Sequence, residues 1–298
     1  MKGIILAGGS GTRLYPATFV TSKQLLPIYD KPMIYYPLSV LMQANIREIM
    51  IISSPHDLPR FQSLFGIGKS LGLNLTYAIQ KEPRGIAEAF IIAESFIGCD
   101  SCALILGDNI FYGPTLTQTL TKASELTHGG LIFGYEVPDP CRYGVIAFDE
   151  AGKVADIIEK PRHPPSNHCV TGLYFYDANV IEIAKSLQPS LRGELEITDV
   201  NRAYLERGAL SVELLDRGCA WLDTGTFEAL HKASTFVQSV QERQGIKLGC
   251  IEEIAFDKGW IDERALGHLA TKQSSSEYGR YLTKIGQPCA SHSAASFS

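Results

Sequence analysis

The sequence predicts an α/β protein built on a mostly parallel central sheet, and three observations carry that expectation. Continuous apolar runs, which suit strands covered on both faces, recur at Ile4–Ala7, within Arg47–Ser53 and at Ala103–Leu106. Segments with helical spacing, 57–65 and 85–97, lie between them. The first and third runs, and the alternating segment Leu73–Gln80, end in loop residues such as Gly8, Asp108 and Gln80, where ligands gather in such sheets. Strand and helix alternating in this way give a Rossmann-like sheet with helices on both faces.

The first run enters the loop Gly8-Gly9-Ser10-Gly11-Thr12-Arg13, with Lys23 ten residues beyond Arg13. Glycines let backbone N–H groups close on an anion, arginine adds a planar fork and lysine a point charge. A polyphosphate site is one reading; a glycine turn after an edge strand is the other. The Walker loop is excluded because Thr12-Arg13, not Lys-Ser or Lys-Thr, follows Gly11. The dinucleotide fingerprint fails at its third glycine, where Leu14 stands, and this speaks against an oxidoreductase.

Further along, Leu73–Gln80 alternates like a strand, and 85–97 is rich in Ala and Glu and reads as one helix. From Leu131 the runs shorten and alternate (LIFGYEV, YGVIAF, VADIIEK, VTGLYFY), which predicts a smaller, more antiparallel β-rich insertion forming a second wall of a cleft. Helices are expected at 178–187 and 197–207, a strand at 210–215, and a mainly helical region from Phe227 to about Ile285. The last residues, QPCASHSAASFS, are small and polar and are predicted to form a disordered tail.

The 298 residues can bury a substantial core, and a net charge of −5 argues against a nucleic-acid-binding surface. No apolar run approaches the roughly 18 residues of a membrane span, and the N-terminus lacks a signal-peptide pattern. Seven cysteines include Cys99-x-x-Cys102, with no second pair at zinc spacing. Packing thiols in a reduced, cytoplasmic protein are expected.

Leu6–Leu14, Ser22–Pro27 and Lys31–Ile34, followed by Gly107-Asp108-Asn109, Glu159-Lys160-Pro161, Val170–Tyr174 and Trp221–Gly225, together resemble the motifs of sugar-phosphate nucleotidylyltransferases, most closely the dTTP-using branch. The resemblance covers nearly the whole chain. It implies a single catalytic domain over 1–286, with a nucleotide-binding half (1–130), a sugar-binding half (131–226) and a helical C-terminal part (227–286), then a tail at 287–298. It further implies that dTTP and glucose-1-phosphate are joined with release of pyrophosphate. UTP or another sugar phosphate, and a non-catalytic regulatory subunit on the same fold, are the competing readings.

Residue roles follow from the same resemblance. Gly8, Gly11, Thr12, Arg13, Lys23, Gln24, Gln80, Gly85 and Asp108 would bind the nucleotide. Asn109, Tyr143, Gly144, Glu159, Lys160, Val170, Tyr174 and Arg192 would bind the sugar phosphate. Arg13, Lys23, Lys160 and Arg192 would act in catalysis, and Asp108 and Asp223 would hold Mg2+, which takes one or two carboxylates and completes its shell from water and phosphates. Read alone, Asp108 also fits a turn cap, Asp223 an Asx-turn, Glu159-Lys160 a solvated charge pair and Arg192 an exposed loop. A homotetramer is implied too, with feedback by dTDP-rhamnose at a second site near Tyr112, Gly113, Gly218, Glu252, Glu253 and Ile254. The chain departs from the family's wording at Arg84, Ile86 and Glu88, and at His168-Cys169. No Gly-x-Ser-x-Gly and no His-Glu-x-x-His occurs, and the attacking oxygen would already belong to the sugar phosphate.

Overall fold

Strand β1 (Lys2–Ala7) shows why a parallel sheet forms: Ile4 and Leu6 point to one apolar layer and Ile5 and Ala7 to the other. Neither face can be left to water, so helices cover both. The computed structural model describes residues 1–9 and 11–287. All of the predicted tail except Gln287 therefore lies outside the described residues.

After β1 come two short 3-10 turns and the small ribbon β2 (Pro27–Ile28) and β3 (Lys31–Pro32), then α1 (Tyr35–Gln43) and β4 (Glu48–Ser53). Helix α2 (Leu58–Phe65) leads to β5 (Asn74–Ile79), and α3 (Glu88–Ile92) and α4 (Glu94–Ile97) lead to β6 (Cys102–Leu106). β1 lies between β6 and β4, and β5 borders β4, all parallel as expected. α1 and α2 cover one face through Leu38, Leu41 and Phe61, while α3 and α4 cover the other through Phe90 and Ile97.

The single helix expected over 85–97 is corrected to two short helices broken at Ala93 and starting at Glu88. Gly85 has φ +106°, and a Cβ there would run into the Leu195 backbone. That left-handed residue holds the segment as loop until Ala87.

Next come β7 (Asn109–Tyr112), α5 (Leu116–Ala123), β8 (Gly130–Glu136), β9 (Gly144–Phe148), β10 (Val154–Glu159) and β11 (His168–Tyr176). Helices α6 (Val180–Ser186) and α7 (Ile197–Glu206) precede β12 (Leu210–Leu214) and β13 (Ala220–Asp223). The β-rich segment does not make a separate sheet. It extends the first into a nine-stranded sheet through β11, which runs antiparallel to β6, β8 and β9, while β12 lies parallel to β8.

Strand β11 is where the sheet forks. Its residues 173–176 pair with β6, whereas Cys169 pairs with Val145 of β9, and its register shifts between Val170 and Tyr174. The cleft opens at this fork. β7 and β13 form an antiparallel ribbon at its floor, with Asp223 opposite Asn109.

The C-terminal part is helical as expected: α8 (Phe227–Gln244), α9 (Ile251–Asp257), α10 (Glu263–Lys272) and α11 (Glu277–Ile285). α8 packs Ala233 and Val237 on the β2–β3 ribbon, and α9 to α11 join the layer beneath α1. Among the described residues no helix is long and apolar enough to cross a membrane. Cys102 is buried at the start of β6 and Cys99 is exposed, both as free thiols.

Candidate active site

A cleft of about 690 Å³ lies beyond the carboxyl ends of β1 and β6, within the range of small-molecule sites. It is lined by residues predicted from both halves of the chain, including Arg13, Lys23, Asp108, Glu159, Arg192 and Asp223. Gly8, Gln24, Gln80, Gly85, Asn109, Tyr143, Gly144, Lys160, Val170 and Tyr174 line it as well. Gly11 lies in an adjoining recess of about 180 Å³, and Thr12 lines neither space.

The acidic centre is made by chain geometry. Asp108 sits at the corner between β6 and β7, and Thr224 closes on its carbonyl by donating from both its backbone N–H (3.1 Å) and its hydroxyl (2.7 Å). That clamp brings the preceding Asp223 to the same floor. Burial would raise the Asp108 carboxyl, but the charge and hydrogen bond of Lys23, with Asn109 Nδ2 donating at 3.1 Å, hold it below the ordinary range. Asp223 goes the other way. Burial, and then the charge of Asp108, push it up to about 6. Arg13 and Arg142 also act on Asp223, Arg142 from 4.0 Å.

Asn109 ties the floor to the fork. Its side-chain oxygen accepts from Trp221 Nε1 at 2.6 Å and from Gly172 N–H at 3.1 Å. A Cβ on Gly172 would stand 2.5 Å from that oxygen. Gly172→Ala is therefore expected to destabilise the fold by about 1–3 kcal/mol, read as a lower midpoint in chemical denaturation. An unchanged midpoint would show that the Asn109 contact yields freely.

On the opposite wall Glu159 ends β10. It accepts from Thr198 Oγ1 at 2.6 Å, from Arg192 at 3.2 Å and pairs with Lys160 at 3.2 Å. Lys160 adopts φ +43°, a strained conformation for a residue with a side chain, fixed by its N–H donating to Tyr143 O at 2.9 Å. Arg192 also bonds Glu196 at 2.8 and 2.9 Å. Tyr143 packs edge-on against Trp221 with ring centres 5.1 Å apart.

The turn through Arg84–Ala87 and the loop that carries Arg192 are stapled together by two backbone hydrogen bonds. Leu195 N–H donates to Arg84 O at 2.8 Å, and Ala87 N–H to Leu195 O at 3.2 Å. This close backbone contact explains the glycine at 85.

None of the six residues expected at a second site lines the cleft. Gly113 and Gly218 meet at the Cys219 turn, and Tyr112 donates to Gln244 at 2.6 Å. Glu252, Glu253 and Ile254 lie on α9. Glu252 is buried and accepts from Tyr278 at 2.6 Å, so it faces the interior.

Sequence reasoning missed Arg142, Glu196, Thr198 and Trp221 as cleft residues. Arg142 adjoins Tyr143, and Trp221 opens the motif that holds Asp223, which was the available signal for those two; Glu196 and Thr198 lie four and six residues beyond Arg192 and had none.

A fork with cations at a glycine loop on one side, a second cationic pair at Glu159 on the other, and two carboxylates between them defines a nucleotidyl-transferring α/β enzyme. The chain belongs to the nucleotidyl transferase family, whose model matches residues 2–240. It is 56% identical over 285 residues to glucose-1-phosphate thymidylyltransferase of Neisseria meningitidis, covering 96% of this chain and 99% of the relative. It is 54% identical to the enzyme of the same name from Mycobacterium tuberculosis, covering 96% and 99%. Among solved structures it resembles a Bacillus anthracis chain in complex with sucrose (TM-score 0.73, 42% identity, 79% of this chain and 94% of that one). It also resembles a UDP-glucose pyrophosphorylase complexed with UDP-glucose (TM-score 0.71, 26% identity, 80% and 98%).

Proposed function

We propose that this chain joins glucose-1-phosphate and dTTP to give dTDP-glucose and pyrophosphate. The observation that carries the reading is the single cleft in which Arg13 and Lys23 face Lys160 and Arg192 across Asp108 and Asp223. The names of the relatives support the choice of substrates.

In this reading Lys160 and Arg192 hold the sugar phosphate so that one of its oxygens attacks the α-phosphorus in line. Lys23 contacts the nucleotide phosphates, and Arg13 meets the charge that develops on the departing pyrophosphate. Glu159 accepts from sugar hydroxyls, oriented by Thr198. No side chain need remove a proton, because the attacking oxygen is already ionised; positioning and charge neutralisation suffice.

Asp108 and Asp223 fit a magnesium ion: they are two carboxylates lining one cleft, the second raised by burial and then by the charge of the first, with cationic side chains acting on both. Among the described residues no cluster of three or more acidic, His or Cys ligands occurs, so the rest of the shell would come from phosphates and water. Bound there, the ion would neutralise phosphate charge.

Pyrophosphate release measured across nucleotides and sugar phosphates tests the reading, with dTTP and glucose-1-phosphate giving the highest initial rate. UTP is expected to be slower by about 10-fold or more, the order that one methyl contributes in a fitted pocket. Equal rates would move the assignment to a broader nucleotidylyltransferase, and no pyrophosphate from any pair would favour a regulatory subunit. The same reading carries a cytoplasmic homotetramer inhibited by dTDP-rhamnose at a site near Tyr112, Gly113, Gly218 and α9. Purely competitive inhibition against dTTP, unaffected by substitution of Gly218, would remove that second site.

A further inference from the structure

Two of the residues that depart from the family's wording, Arg84 and Glu88, meet each other beside Gln80. Glu88 is buried, and its two carboxylate oxygens are divided between two partners. Oε1 accepts from Arg84 Nε and a terminal guanidinium nitrogen at 2.9 and 2.6 Å, and Oε2 accepts from Gln80 Nε2 at 2.9 Å. Gln80 Nε2 also reaches Gly85 O at 3.4 Å. A carboxylate only accepts, so the amide nitrogen of Gln80 must face Glu88. The amide oxygen is left over Gly8, at a place where a Cβ on that glycine would collide with it, and both residues line the cleft.

We propose that Arg84 and Glu88 act as a positioning pair that locks the Gln80 carboxamide with its oxygen towards the nucleotide, so that the cleft selects bases offering an imide N–H. This rests on the nucleotide reading given above. A pyrimidine-2,4-dione, as in thymine or uracil, presents such a donor at N3, whereas cytosine presents a bare acceptor there. Against a fixed oxygen, cytosine would set two acceptors face to face.

The division of oxygens makes the two residues interdependent. With Arg84 in place, a glutamine at 88 has one oxygen, which the guanidinium claims, and it turns its NH2 towards Gln80. Gln80 must then rotate to present its own oxygen to residue 88, leaving its NH2 towards the base. Without the guanidinium, a glutamine at 88 can offer its oxygen to Gln80 and restore the original orientation.

The test is the ratio of kcat/KM for dTTP to that for dCTP, with glucose-1-phosphate saturating. Glu88→Gln is expected to lower the ratio by roughly tenfold or more, through the KM of the nucleotides, with the KM of glucose-1-phosphate unchanged. The double variant Arg84→Leu with Glu88→Gln is expected to recover the ratio to within about threefold of the unaltered protein, a rescue that a merely structural ion pair would not give. Arg84→Glu, on a mostly exposed side chain, tests the same point should Glu88→Gln fail to fold. Its charge pushes the Glu88 carboxylate away from Gln80, which frees the carboxamide to turn and lowers the ratio likewise. An unchanged ratio in the variants, or a double variant as impaired as Glu88→Gln, overturns the pairing while leaving the nucleotidylyl reading intact. An unaltered protein that turns over no dTTP overturns both.

Discussion

Arg13→Ala is expected to lower kcat by roughly 10²–10³-fold at saturating substrates, the loss that follows removal of one oriented charge-stabilising donor. The guanidinium lies in the cleft beside Gly225 and acts on Asp223. It can therefore meet negative charge that grows on the nucleotide side as the bond to pyrophosphate breaks. Because that charge is largest in the transition state, the effect should fall on kcat more than on the KM of dTTP. Turnover near that of the unaltered protein would exclude this role for Arg13.

Asp223→Asn should separate stability from activity. The Asp223 carboxyl is pushed up to about 6 from an ordinary 3.8 by burial and by Asp108. Its folded form therefore holds a proton more readily than its unfolded form. As pH falls from about 6 towards 4, the native state takes up that proton first and gains stability; above 6 the ionised carboxylate costs the fold on the order of 3 kcal/mol. The amide that replaces it would carry no charge at any pH. The variant should thus melt higher than the unaltered protein at pH 7.5, by several degrees, with a smaller difference at pH 5. The same substitution removes a proposed metal carboxylate, so the magnesium concentration for half-maximal rate should rise by about tenfold or more. An unchanged magnesium titration would take Asp223 out of the metal site, and an unchanged melting difference between the two pH values would mean that its carboxyl is not raised.

Much of this could be read before any coordinates, and the exceptions have a common cause. The apolar runs in β1, β4 and β6 leave no face for water, so their burial in a parallel sheet follows from the residues themselves. The glycine loop, Asp108, Glu159-Lys160 and Asp223 were legible as motifs in order, and the cleft gathers them. The ribbon of β7 and β13 was not, because four-residue strands such as Asn109–Tyr112 carry too little periodicity to stand out. The break in the 85–97 segment is set by Leu195, far along the chain, and local propensity favoured one helix. Arg142 and Thr198 gain their meaning only from Asp223 and Glu159, which they meet after folding. Partnerships across long sequence separations are what a single sequence hides.

The paired amides between Leu195 and the Arg84–Ala87 turn bear on how the two substrates affect each other's binding. One edge of that join carries Gln80 and Gly85; the other carries Arg192 and Glu196. Under the proposed function, a nucleotide that settles the first edge would reduce the freedom of the second and lower the entropic cost of binding the phosphate ester. Bisubstrate kinetics should then show the dissociation constant of each substrate falling in the presence of a non-reacting form of the other.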